Sequence, residues 1–94
     1  MNNQEYNGWY NYETWLVNLW LTNDSSSYNY WNEATNECAD PAELSNRIKD
    51  EIEEFNPVTD DSSLYADLMN AAISEVNFDE IAHSFWNDFK QTYP

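Results

Sequence analysis

The sequence predicts an all-α fold, a compact single-domain bundle of about five short helices. Three observations point there. Apolar residues recur at spacings of three and four through most of the chain, helix-capping residues precede those runs, and nothing alternates with period two over a useful length. No hairpin is expected, and no repeat or composition shift divides the chain. Residues 1–94 therefore read as one acidic helical domain, with 1–10 as an extended N-terminal segment.

The first helix is expected from Tyr12 to about Thr22, with Asn11 as its N-cap. Tyr12, Trp15, Leu16, Leu19 and Trp20 fall at i, i+3, i+4, i+7 and i+8, and Val17 and Leu21 widen that stripe. So apolar a helix is expected to be central. Asn23 to Ser27 is a turn-and-cap cluster, and a second helix follows through Glu37 with Trp31, Ala34 and Cys38 inward. The third has the clearest start signal: Asp40 as N-cap, Pro41 at N1 and Glu43 at N3. Its inward stripe is Leu44, Ile48, Ile52 and Phe55, and Asn56-Pro57 stops it. A fourth starts near Ser62, with Leu64, Tyr65, Leu68, Met69, Ala72 and Val76 as the expected buried face. Asn77 caps a fifth, with Glu80 at N3 and Phe78, Ile81, Ala82, Phe85, Trp86 and Phe89 inward. The expected core includes Trp15, Leu19, Trp20, Leu68, Phe85 and Phe89.

Charge bounds the function classes. Eighteen acidic residues face three basic ones, Arg47, Lys49 and Lys90, for a formal charge of −15. Such a surface repels phosphate backbones and anionic headgroups, so neither nucleic acid nor a membrane surface is an expected partner. It favours a basic protein surface instead. Five Trp, seven Tyr and four Phe argue against a disordered acidic tail. One cysteine makes no intrachain disulfide and suits a reducing compartment. Met1 to Asn7 has neither the positive nor the apolar region of a signal peptide, and no apolar run approaches the ~20 residues of a membrane span. The expected location is the cytoplasm.

Catalysis is not expected. The single histidine, His83, projects to the polar side of the fifth helix, and Cys38 follows the apolar spacing of the second. One His and one Cys are too few for zinc, and the only glycine, Gly8, is remote from the acidic runs, so neither a calcium loop nor a phosphate loop can form. No cofactor is expected.

The acids are uneven. Up to Asn36 there are four, and from Glu37 onward fourteen. On the third helix Glu43, Asp50 and Glu54 project opposite the apolar stripe, with Glu51 and Glu53 on its shoulders. Asp50 and Glu54 stand about 6 Å apart along the axis. Continued through Asp60 and Asp61 to Asp67, they make a negative ribbon. Acids at the C-terminal end of a helix oppose its dipole and repel one another, a local cost that solubility alone does not require. A second candidate contact is the aromatic start, where Trp9 and Tyr10 either staple the first helix or anchor a partner.

The segment Asn11-Tyr12-Glu13-Thr14-Trp15-Leu16-Val17-Asn18-Leu19-Trp20-Leu21-Thr22-Asn23-Asp24 resembles a motif of small phage and mobile-element proteins, roughly N-x-E-T-W-x-V-x-L-W-L-x-N-D. Val76-Asn77-Phe78-Asp79-Glu80-Ile81-Ala82 is similar to a second element of that uncharacterised family. The resemblance implies a mobile-element origin and a small helical domain, and it transfers no functional residues. In acidity alone the chain is similar to DNA-mimicking antirestriction and anti-CRISPR proteins. The expectation is therefore an inhibitor whose acids occupy the nucleic-acid-binding site of a host defence complex. The alternative is a structural or regulatory interaction module, for instance a homodimer, whose charge serves solubility.

Overall fold

Each helix starts where a side-chain oxygen accepts a hydrogen bond from the backbone of its own first turn, which satisfies a donor that the helix leaves orphaned. The caps are Asn11 with Thr14 N–H (2.9 Å), Asp24 with Ser27 N–H (3.1 Å) and Asp40 with Glu43 N–H (2.9 Å). Ser63 with Ala66 N–H and Asn77 with Glu80 N–H, both 3.1 Å, complete the set. The computed structural model describes residues 5–58 and 62–92. It contains α1 (Tyr12–Thr22), α2 (Ser25–Glu37), α3 (Pro41–Glu54), α4 (Leu64–Ser74) and α5 (Phe78–Thr92). No described helix is long and apolar enough to cross a membrane.

The centre is the α3–α5 pair, with α2 against both and α1 against α2 and α5. Leu44 and Ile48 of α3 meet Phe78, Ile81, Ala82 and Phe85 of α5, and α2 adds Trp31, Ala34 and Cys38. Val17, Leu21, Ile52, Ile73, Val76, Trp9 and Trp86 pack around this cluster, partly buried.

Two helix faces differ from expectation. On α1 the inward positions are Thr14, fully buried, with Val17 and Leu21. Trp20 is 68% exposed and Leu19 is exposed as well, while Trp15 is half-buried. The helix is apolar almost all round, so its periodicity does not define an inside; the buried Thr14 hydroxyl does. On α4 only Ala66 is buried, and Ile73 touches the core from the same side. Leu64, Tyr65, Leu68 and Met69, expected inward, face solvent. Phe55, just past α3, is also exposed, and Phe89 is half-buried rather than core. Phe85 is buried as expected.

In the part of the N-terminal segment that is described, residues 6–9 form a tight turn. Tyr6 and Trp9 exchange two 2.8 Å backbone hydrogen bonds around Asn7-Gly8. Asn7 (φ 50°) and Gly8 (φ 87°) take the positive φ values that a two-residue hairpin turn requires. This turn sets the Tyr6 ring edge-on to Tyr12 (5.0 Å) and Trp15 (4.9 Å).

Candidate partner-binding surface

The two motif segments meet, and what they build is a structural joint. Asn11 Oδ1 accepts from the Thr14 backbone N–H and from the Thr14 hydroxyl (2.6 Å). Asn11 Nδ2 donates to the Glu75 carbonyl at 2.7 Å, and the Thr14 oxygen accepts from Asn77 N–H at 2.9 Å. Glu80 reaches back to accept from Tyr10 N–H at 2.9 Å. The start of α1 is thereby tied to the α4–α5 junction by the part-buried Asn11–Glu75 and Thr14–Asn77 hydrogen bonds and the exposed Tyr10–Glu80 one, with no buried side-chain N or O left unpartnered among the described residues.

A second polar cluster consumes the arginine. Arg47 bonds Glu37 (2.8 Å) and Glu51 (3.3 Å), and its guanidinium lies 5.7 Å from the centre of the Tyr30 ring. The Tyr30 hydroxyl donates to Glu51 Oε2 (2.7 Å) and accepts from Arg47 Nη2 (3.4 Å). Bonds to Tyr30 and Glu37 raise the Arg47 pKa further, so its charge is permanent and locally balanced. These groups are partly exposed, so the pairs add little stability. Their consequence is electrostatic: Arg47 is not offered to a partner as a free cation.

The predicted contact residues divide accordingly. Asp50, Glu53, Glu54 and Asp67 are exposed. Glu43 accepts from Ala39 N–H (2.9 Å) in the start of α3, and half-buried Glu51 belongs to the Arg47 cluster. Both have structural tasks that spacing alone does not reveal. Asp60 and Asp61 lie outside the described residues. Trp9 packs against the core and Tyr10 is exposed, so the structure joins stapling and exposure in adjacent residues. Glu53 lines a cleft of about 560 Å³ with Lys49, Asn56, Asn70 and Ile73, between the C-terminal end of α3 and α4. The Asn56 amide donates to Asn70 across it at 3.2 Å. Missed by sequence reasoning are the outward apolar faces of α1 and α4; the signal was each helix having more apolar positions than one core-facing stripe needs.

His83 is exposed, with Nδ1 2.8 Å from the Asp79 carbonyl in its own helix. No group of three His, Cys, Asp or Glu side chains among the described residues is arranged to hold a metal ion. Cys38 closes α2 and is buried; desolvation first, then the charge of Glu43, pushes its thiol pKa up against the lowering effect of Arg47. The neutral thiol is thus the native form. Its contribution to stability is complete below the ordinary thiol pKa of about 8.5 and is lost as pH rises through the higher folded value. Iodoacetamide at pH 8 should label Cys38 at least tenfold more slowly in the native domain than in urea, a ratio mass spectrometry reads directly. Equal rates would show an accessible thiolate.

Compared with known proteins, the chain matches one family model, DUF7249, described as a family of unknown function, over residues 2–89. No curated protein and no solved structure matches it.

Proposed function

The chain belongs to the DUF7249 family, a family of unknown function, and we propose that it is a non-enzymatic binding protein whose acidic surface occupies a basic nucleic-acid-binding site. The observation that carries this is the sign and uniformity of the charge. Between Asp50 and Glu80 there are ten acids and no Lys, Arg or His. Asp50, Glu54 and Asp67 in that stretch are exposed and make no ion pair among the described residues. Arg47, the single arginine of the sequence, is spent on Glu37 and Glu51. A partner rich in Lys and Arg gains fast, steered association with such a face, and nucleic acid competes for the same cations. The resemblance to small phage and mobile-element proteins makes a host defence complex, such as a restriction enzyme or CRISPR effector, the target class we infer, in the host cytoplasm.

Asp50→Lys, Glu54→Lys and Asp67→Lys together reverse the exposed face without touching the Arg47 cluster or any helix cap. Added to purified DNA-binding defence complexes carrying a fluorescent duplex, the parent should displace the duplex from at least one. The triple variant should need a concentration higher by about a hundredfold, on the order of the two or three charge pairs removed. Equal displacement by both proteins would leave the acids as a solvated face.

The exposed aromatic side of α1 favours a second reading, in which Trp20, Tyr12 and Leu19 make a self-association or docking surface. Light scattering across a concentration series distinguishes it, since a dimer lost in Trp20→Ala would support that alternative.

A further inference from the structure

The outward face of α4 carries more large apolar side chains than the face the helix gives to the core. Tyr65 is 73% exposed and Leu68 59%, with Leu64 and Met69 beside them, while the helix gives the core only Ala66 and part of Ile73. An isolated helix of eleven residues is marginal in water, and helices in proteins draw most of their stability from a buried apolar face. Here the richer face points away. Phe55, just past the end of α3, is exposed as well. The cleft below, spanned by the Asn56–Asn70 hydrogen bond, leaves α4 standing off from α3.

What surrounds this face selects its occupant. Asp67 is exposed on α4 and Glu75 just past it, and Glu54 is exposed at the end of α3. The sequence from residue 50 to 80 holds ten acids and no basic residue, with Glu51 engaged by Arg47 from outside that stretch. A second copy of the chain would bring like charges together, since each carries a formal −15. A neutral apolar groove would bury the face and leave the acids unanswered. We propose that the outward face of α4 is the apolar anchor of the docking surface, and that its occupant is a cationic amphipathic protein element, apolar along one stripe and flanked by Lys or Arg. This rests on the acidic surface being a contact surface. It adds that affinity and selectivity come from Leu64, Tyr65 and Leu68, because charge mainly speeds encounter while a few buried large side chains slow dissociation.

Three synthetic helical peptides serve as probes: an amphipathic Leu/Lys peptide, an amphipathic Leu/Gln peptide of the same pattern, and oligolysine. Calorimetry at fixed ionic strength compares the full chain with two variants, Leu64→Ser/Tyr65→Ser/Leu68→Ser and Asp50→Lys/Glu54→Lys/Asp67→Lys. The parent should bind the Leu/Lys peptide about tenfold or more tighter than either other probe, the ratio expected of one or more anchors worth over 1 kcal/mol. The serine variant should lose that preference and keep its oligolysine affinity. Tyr65→Ser alone, at the most exposed position of the face, should show the same direction if the triple variant loses helical circular dichroism. Unchanged preference in the serine variants overturns the inference, as does tighter binding of Leu/Gln than Leu/Lys, or a parent dimer that these variants dissociate. Lysine reversals that weaken both cationic probes, beside serine variants that change neither, would remove only the role of α4. Reversals that weaken neither would remove the acidic contact surface with it.

Discussion

Asn11→Ala should lower the unfolding free energy by about 3–4 kcal/mol. The N-cap contributes about 1 of this, and the Glu75 carbonyl and the Thr14 backbone and hydroxyl donors, stranded in a part-buried joint, account for the rest. For a 94-residue domain whose whole stability is roughly 5–14 kcal/mol, that is a large fraction. Asn11→Asp separates the two roles. It restores an oxygen for the cap but removes the amide that donates to Glu75 and sets a carboxylate against that carbonyl, so it should recover less than half of the loss. Thr14→Val keeps the volume and strands Asn77 N–H, at about 2 kcal/mol. Urea midpoints with unchanged slopes are the measurement. An Asn11→Ala variant within 1 kcal/mol of the parent would mean that the joint does not hold α1 to the α4–α5 junction.

Phe85→Ala should cost about 3–5 kcal/mol, whereas Trp20→Ala should change stability by less than about 0.5 kcal/mol. Both are large aromatic residues on helices with apolar stripes, and hydropathy alone ranks them together. Burial separates them: Phe85 is 3% exposed in the α3–α5 interface and Trp20 projects from α1. The pair is best measured side by side in thermal melts of the same preparation. A Trp20→Ala loss near that of Phe85→Ala would restore α1 to the centre of the fold and contradict the arrangement described above.

These two pairs also mark what could be read in advance. Helix number and boundaries were legible because caps are local: Asn11, Asp40-Pro41-Ala42-Glu43 and Asn77 each announce a start within four residues. The facing of α3 and α5 was legible for a similar reason, since Leu44/Ile48 and Ile81/Phe85 are the only strong apolar stripes on helices otherwise polar. The facing of α1 and α4 was not. An apolar stripe states which side avoids water, not which neighbour covers it, and in both helices small or polar inward residues, Thr14 and Ala66, mark the contact side. The Asn7-Gly8 turn contradicts the expectation of no hairpin, although its dipeptide is one of the few that tolerate two consecutive positive φ values.

Of the candidate surface, the net charge and its concentration after Glu37 were plain from the chain. The division of labour among the acids was not. Glu51 looks like its neighbours Asp50 and Glu53 until Tyr30, 21 residues earlier, is seen to hydrogen-bond it. The Asn11–Glu75 and Thr14–Asn77 bonds span 64 and 63 residues, so a motif that read as two separate elements is one device only in three dimensions. Its residues are accounted for by folding, which moves the search for function to Asp50, Glu54, Asp67 and the face of α4.

The most direct test of the proposed electrostatic recognition is the association rate of the domain with a DNA-binding defence complex, the proposed target class, measured at about 50 and 500 mM salt. Screening shortens the Debye length from roughly 14 Å to 4 Å over that range, so steered encounter should slow by at least about tenfold while the dissociation rate changes much less. An association rate that is the same at both salt concentrations would contradict recognition through the acidic surface.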